Sequence, residues 1–581
     1  FAILNRNVGD SMGNFIKTQN SFANGEVAPE FFARDDINGL SRLENMDVLA
    51  GGGLRRRRGL AHVGRLDAYA RLIPFSVGED ENYLLVLEDK HIGIYHNGVR
   101  RFDLLTPWGA DCLSRLQYAQ RFDTIIFVHP DYQPHVLAKS GNLFKLEKWG
   151  FSSNDDMTLN IPFMKFDDAA NIKITVSTHP NGNNYAVFTT SSDFWTPENV
   201  QGRVMVLGKQ WRIFEYVSPT VVVALGNGGY TLPNGPVSDW REAAFGSRRG
   251  WPCSISFHQD RLVFGGSRSW PSGVWMSKVG QHHNFDVGTG LDDEAIFLTL
   301  LSEQRQQICT VVSSDNLQIL TTVGEWAISN KPLTPSAVDI KQHTAVGSVA
   351  TRHLPPQTIE GCTVFISGGQ KDIRELTLDQ LGESYNANDL CALSKHLMQG
   401  PVDLAYNEDT HQLFVVMENG DMAVLNKNAA VGISAWAVYK TQGKFCSVAV
   451  LQGQTYVVVQ RGEKYSIEVF SDDAQSDAGT YGFSYAAAGL PMLANRHGPR
   501  KIRIRKIGAR VFETKSVFIN GRRAPLPNEI YDAQSIGYSG DVAINFLGVT
   551  SDAISPPWII HGSEQLPATI LSVTMHGWYL I

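Results

Sequence analysis

The chain has 581 residues, 43% of them hydrophobic, and a formal charge of −7. That balance excludes a protein that coats nucleic acid over its whole surface. No apolar run approaches the ~18 residues that a membrane-spanning helix needs, and the six cysteines lie far apart with no CxxC pair, as expected of reduced thiols in a protein assembled in a cytosol.

The first residues, FAILNRNVGDSMGNF, are too broken for the apolar stretch of a signal peptide. Residues 1–65 read as an N-terminal arm or platform segment rather than as repeat material. Ser21 to Pro29 is turn-rich, and Glu30 to Asn45 predicts a short helix capped by Asp35 or Asp36. Gly51, Gly52 and Gly53 then lead into Arg55, Arg56, Arg57 and Arg58. Such a run is either a solvated loop or a dock for an acidic partner or DNA phosphate, because guanidinium forks grip carboxylate and phosphate with two bonds.

From residue 66 the pattern becomes periodic. Seven hairpin-like units begin near Tyr83, Asp123, Asp260, Asp315, Gly361, His411 and Gln454. The clearest is HQLFVVMENGDMAVL, where the apolar run Leu413 to Met417 meets a turn at Asn419-Gly420. Asn-Gly suits a type I′ hairpin turn, whose two central residues need positive φ. The gaps between starts are 40, 137, 55, 46, 50 and 43 residues. A period of roughly 40–50 with several strands per repeat is the pattern of a β-propeller. The long gap holds one repeat plus an inserted β-domain, residues 156–250. Within it Val204–Leu207, Trp211–Val217 and Thr220–Leu225 read as a meander. The expected divisions are therefore 66–155 and 251–475 for the propeller blades and 476–581 for a C-terminal β-domain. There Lys501, Arg503 and Arg505 alternate with Ile502 and Ile504, so one strand face is basic. That strip reads as an exposed face paired with acids, or as a contact for DNA.

No catalytic, metal or cofactor site is expected. Asp35-Asp36, Asp292-Asp293-Glu294 and Asp472-Asp473 are sequence neighbours, which on a strand point to opposite faces. His282-His283 lacks the i, i+4 spacing of a helical metal pair, and G-x-S-x-G, P-loop and H-E-x-x-H patterns are missing. Ser313-Ser314-Asp315 is the nearest approach to a sialidase-type box.

Several strings resemble the tail nozzle proteins of short-tailed bacteriophages, the tail tubular protein B family. They are Trp251 to Leu262, Val274-Trp275-Met276-Ser277 with Asn284-Phe285, Asp292-Asp293 before Ala295-Ile296, Gly324-Glu325-Trp326, and Leu333-Thr334-Pro335-Ser336 leading to Gly347-Ser348. At the front, Ser21-Phe22, Gly25-Glu26, Pro29, Arg34, Asp36 and Arg42-Leu43-Glu44-Asn45 match as well. Arg58 departs from the family, which tends to have Pro there. The resemblance implies a virion protein assembled in the host cytoplasm. It would form a homohexameric ring below the portal and adaptor, extend the DNA channel without sequence recognition, and dock tail fibres or spikes. On that reading Arg55–Arg58 with Glu26, Arg34, Asp36, Arg42 and Glu44 make the subunit or adaptor interface. The uncharged loops Asn181, Gly182, Asn183, Asn184 and Gly226, Asn227, Gly228, Gly229 read either as ordinary outer-surface turns or as the gate of the channel. The alternative is a propeller that binds or cleaves glycans at a virion or cell surface.

Overall fold

The computed structural model describes residues 13–32, 34, 36–154, 158–180, 184–226, 235–379, 384–472, 485–489, 501–527, 536–546, 549–550, 556–562 and 566–580. It is nearly all β, and no helix of seven or more residues occurs among them. Seven four-stranded antiparallel units succeed one another along the chain and form a β-propeller. Blade 1 runs from Arg71–Ser76 to Val99–Leu105, blade 2 from Gln117–Arg121 to Leu143–Lys148, and blade 3 from Ser254–His258 to Ile296–Thr299. Blades 4, 5 and 6 run from Ile308–Ser313 to Ile340–Thr344, from Gln357–Ile359 to Tyr385–Asp389, and from Pro401–Asn407 to Ile433–Tyr439. Blade 7 takes Lys444–Leu451, Gln454–Arg461 and Lys464–Ser471 from one part of the chain and its outer strand, Gly59–Leu66, from another.

The ring is closed by packing as well as by hydrogen bonds. Each pair of neighbouring blades buries its own apolar cluster: Phe75 with Phe127 between blades 1 and 2, Val128 with Phe264 between 2 and 3, and Val263 with Ile319 between 3 and 4. Leu320 with Phe365, Val364 with Val415, Phe414 with Phe445, and Val86 with Val458 complete the circuit. A middle strand is covered on both faces by this arrangement, so its residues need not alternate. Gln412–Met417 is buried at every position, which is why the second and third strands of each blade stand out as apolar runs.

All seven hairpin units coincide with strands 2 and 3 of a blade. The turn after Met417 differs in detail from a type I′ turn. Gly420, not Asn419, takes the positive φ (93°), and Val416 pairs with Met422 across a longer loop. Asn520 and Gly521, with φ of 48° and 78°, do make the two-residue positive-φ turn.

The two ends of the chain form one body on the rim of blade 6. The sheet of that blade continues past Ile433–Tyr439 into Gly25–Glu26, Gly39–Glu44, Tyr485–Gly489, Ile559–Gly562, Phe518–Ile519 and Arg522–Arg523. A second sheet, built on Lys501–Thr514 and Thr569–Leu580, also takes in Gly13–Gln19, Met46–Val48, Leu54–Arg56 and Tyr538–Asn545. Phe22, Leu43, Met46 and Leu54 from the N-terminal part share a single core with Ile507, Val511, Ile560 and Met575. Two expectations are corrected here. The N-terminal arm and the C-terminal β-region are one unit rather than two. The helix expected over Glu30–Asn45 is a 3-10 turn at Pro29–Phe31 followed by the strand Gly39–Glu44, because a parallel partner in blade 6 outweighs weak helix propensity.

The insertion is a seven-stranded antiparallel sheet whose central meander is Arg203–Val206, Lys209–Ser218 and Val221–Leu225. It has its own core around Phe188, Trp195, Trp211 and Trp240. It interrupts the link from the last strand of blade 2 to the first of blade 3. Strands alternate in direction within a blade, so that link opens on the same face as the 2–3 turns. Contacts agree: Trp251 donates its N–H to Pro130 O at 2.9 Å, and Phe166 packs on Trp270, both partners lying in 2–3 turns. The insertion enters between blades 2 and 3 and the rim body joins blade 6. On a ring of seven these points are half a turn apart.

Candidate interaction surfaces

The glycine run makes a tight turn, with Leu49 and Gly53 joined at 2.8 Å and Gly52 at φ 80°. It links Met46–Val48 to Leu54–Arg56 and delivers the four arginines to different surroundings. Arg55 is 55% exposed, with Asp47 at 3.7 Å. Arg56 donates to Leu566 O at 2.5 Å. Arg57 is buried. Its Nε donates to Asn45 Oδ1 at 2.8 Å and its Nη2 to Lys440 O at 2.9 Å, and its guanidinium lies over the Tyr439 and Phe470 rings at 5.4 and 5.6 Å. Burial lowers its pKa to about 9, so it is still a cation at neutral pH. Arg58 faces a cavity between this run and blade 6.

The other residues expected at an interface also have partners inside the chain. Glu26 is buried, accepting from Leu43 N at 2.6 Å and facing His396 Nε2 at 3.0 Å. Glu44 is held by Arg42 at 2.6 Å and Lys440 at 3.2 Å. Arg34 and Asp36 pair with each other in the open. Arg57, Glu26 and Glu44 therefore fasten the rim body to the propeller, and Arg34, Asp36, Arg42 and Arg55 keep exposed surface.

Of the gate loops, Asn181, Gly182, Asn183, Asn227, Gly228 and Gly229 lie outside the described residues. Asn184 and Gly226 are joined, Gly226 N donating to Asn184 O at 2.8 Å. The two loops thus start side by side, where Tyr185 pairs with Leu225. The far end of the Tyr185–Thr190 strand, roughly 17 Å away at ~3.3 Å per residue, leads to Phe194. Arg248 of the return link covers that ring at 4.0 Å.

The basic strip faces out as expected, with Arg503 and Arg505 exposed around buried Ile504. A register shift between Ile504 and Lys506 turns Arg505 and Lys506 to the same side. Two hollows of about 480 and 470 Å³ share Lys506 and His576 on this face. Arg505 lies over Trp578 at 5.8 Å, and Arg510 is paired with Asp541 at 2.8 Å.

The clustered acids serve local structure. Asp293 pairs with Lys278 at 2.9 Å, and Glu294 accepts from the N–H groups of Thr289, Gly290 and Leu291, which lowers its pKa. His282 meets Arg121 and Asp260, while His283 stacks on Trp149. Among the described residues no group of three or more His, Cys, Asp or Glu is placed to hold a metal ion.

No protein family and no curated protein matches this chain. Solved structures do. BamB from Moraxella catarrhalis is 10% identical with a TM-score of 0.34, covering 70% of this chain and 97% of its own. YCF48 bound to D1 peptide is 11% identical with a TM-score of 0.29, over 72% of this chain and 96% of its own. Kluyveromyces lactis Hsv2 is 11% identical with a TM-score of 0.29, over 64% and 98%.

Sequence reasoning missed the plug on the propeller axis. Gln117 Nε2 of blade 2 donates to Cys309 O of blade 4 at 2.7 Å, and His353 N donates to Ser114 O at 2.8 Å. Arg71 donates to Leu113 O and Leu116 O at 2.8 and 2.7 Å. Asp403 accepts from Ser447 Oγ at 2.6 Å, and burial raises its pKa, while burial takes His353 well below the usual imidazole value. A void here, lined by Arg115, Gln117 and His353 among others, is about 20 Å³, room for little more than one water. A polar residue in an otherwise apolar first strand, such as Asp403 between Val402 and Leu404, is the signal that marks this plug.

Proposed function

We propose that this chain is a structural subunit of a tail nozzle in a short-tailed bacteriophage. Six copies would form a ring below the portal and adaptor, extend the path of the genome and offer surfaces to tail fibres or spikes. The observation that carries the reading is the placement of the rim body and the insertion half a turn apart on a rigid propeller. One side of such a subunit is free to meet ring neighbours or the adaptor while the other extends the tube. Head-to-tail contacts of this kind close into rings when their rotation permits. The plugged axis supports a DNA path between subunits rather than through any propeller. The −7 charge of each chain suits a bore that passes a duplex without gripping it, since every phosphate neutralised adds a salt-dependent hold.

The test is to image the purified full chain, alone and with the adaptor, and to image tails. Six-fold rings with the insertion and the rim body at opposite ends of each subunit are the expected result. A chain that stays monomeric in every mixture and is missing from tails would overturn the proposal.

A further inference from the structure

Between the arginine run and the turns of blade 6 lies a cavity of about 240 Å³, whose wall includes Asp47, Arg55, Arg58, Thr410, Asn426 and Lys427. Two groups on that wall are buried without a hydrogen-bond partner, Asn426 Nδ2 and Thr410 Oγ1. Buried polar atoms are nearly always paired, so two orphans on one cavity wall call for a ligand. The Asn426 amide cannot be turned round to remove its orphan. Gln412 Nε2 donates to Asn426 Oδ1 at 3.1 Å and to Asp47 Oδ1 at 3.0 Å, so the Asn426 atom facing Gln412 must be the acceptor. Asn426 is only 5% exposed and is part of the cavity wall.

The charges around the cavity favour an anion. Asp47 already accepts from Tyr439 and Gln412, and Arg55 reaches it only at 3.7 Å, beyond a good hydrogen bond. The Lys427 ammonium is taken by Glu375, with Glu360 at 3.7 Å. Asp409 also lines the cavity, but its carboxylate lies against Gly453 of blade 7. What remains for an occupant is a set of donors: the Arg55 and Arg58 forks, the Asn426 amide and the Thr410 hydroxyl.

We propose that this cavity is a binding site for a phosphate-type oxyanion. The two guanidinium forks take its charged oxygens, and Asn426 and Thr410 hold it on the propeller side. At ~30 Å³ per water the volume is that of about eight waters, so the first atoms of a phosphate monoester fit as well as the free ion. Bound there, the anion joins the rim body to blade 6, and it acts independently of whether the chain forms a ring.

The experiment titrates the full chain with inorganic phosphate, following thermal unfolding and heats of binding, with chloride matched for ionic strength. A saturable rise in melting temperature that chloride does not reproduce is expected. Arg58→Gln and Asn426→Asp should weaken the apparent affinity at least tenfold, and Thr410→Val, a near-isosteric change at a half-buried turn, should weaken it with the fold kept. Lys145→Gln, an exposed cation on blade 2 away from the cavity, should bind as the parent does. The proposal falls if phosphate acts no more strongly than chloride, if acetate binds more tightly than phosphate, or if Arg58→Gln and Thr410→Val both bind like the parent.

Discussion

The side-chain oxygen of Asn45 accepts two hydrogen bonds at 2.8 Å, one from Arg57 Nε and one from the backbone N–H of Lys440. Asn45 itself is held at φ 56°, a conformation Asn adopts more readily than most residues. The pair sits where three pieces meet: the rim body, the end of blade 6 and the outer strand of blade 7. The guanidinium rests on Tyr439 and Phe470, one from each blade. The cation is thus a structural pin.

Arg57→Ala should therefore destabilise the chain by about 3 kcal/mol, because charged hydrogen bonds are lost and buried acceptors are left open. Arg55→Ala should cost only ~0–1 kcal/mol, as for other exposed pairs. Chemical denaturation of the two variants distinguishes them. Equal effects would show that Arg57 is no more than a surface charge. With Arg57 placed as it is, replacing all four arginines should unfold or loosen the rim.

Gly25 should tolerate no side chain. Its φ is 61°, and a Cβ there would stand 2.4 Å from Trp436 O, where the Gly25–Glu26 strand lies parallel to blade 6. Gly25→Ala should cost about 2–4 kcal/mol, since both the backbone conformation and the approach are lost. Rapid amide exchange over Gly39–Glu44 in the variant would place the damage at this junction. Unchanged exchange there would refute the assignment.

What the sequence made legible follows from which strands are covered. Strands 2 and 3 of each blade lie between neighbours on both faces, so their apolar runs and turns are a local signal that recurs once per blade. The outer strands are half exposed; Val99–Leu105 buries none of its residues. The closing strand Gly59–Leu66 was assigned to the arm because its partner, Lys464–Ser471, is some 400 positions away and leaves no trace in local pattern. The same reason hides the joining of the chain ends. From sequence the arginine run reads as a solvated loop or a dock for acids or phosphate; the acceptors that hold Arg57, Asn45 Oδ1 and Lys440 O, come from distant parts of the chain that only the fold brings together.

Acid should weaken the propeller through His129. Its Nδ1 accepts the N–H of Asp131 at 3.2 Å, which requires the neutral ring, and burial followed by the charge of Arg115 lowers its pKa to about 4. An imidazole whose folded pKa lies below its unfolded value binds fewer protons when folded. Stability is therefore complete above about pH 6.5 and is lost as pH falls towards 4. At 1.36 kcal/mol per unit this one group accounts for at most about 3 kcal/mol. His129→Asn keeps an acceptor for Asp131 and removes the titration. The parent should lose more stability than the variant between pH 6.5 and 4, and parallel curves would sink the idea. The comparison is between parent and variant because Asp403 and Glu325, raised by burial, gain stability over part of the same range.

The last prediction concerns the root of the insertion. Glu242 is buried there; Arg249 grips it with Nε at 2.9 Å, and Asn199 donates to it at 3.1 Å. Arg249 also reaches Asp168 at 2.8 Å and lies over the Phe166 ring at 4.0 Å, so one side chain joins the return link to both ends of the insertion. Burial raises the Glu242 pKa even though two arginines oppose it. Removing Arg249 alone should therefore be costly: Arg249→Met leaves the buried carboxylate with only Arg248 at 3.6 Å and the Asn199 amide, a loss of up to about 3 kcal/mol, while packing on Phe166 is largely kept. Arg249→Met combined with Glu242→Leu should recover most of that loss, because a buried ion pair replaced by apolar groups of similar size is often neutral. Limited proteolysis provides a local reading, with cleavage near residues 246–250 rising in the single variant and returning towards the parent in the double. If the single variant resists protease and denaturant as the parent does, the Arg249–Glu242 pair does not anchor the insertion.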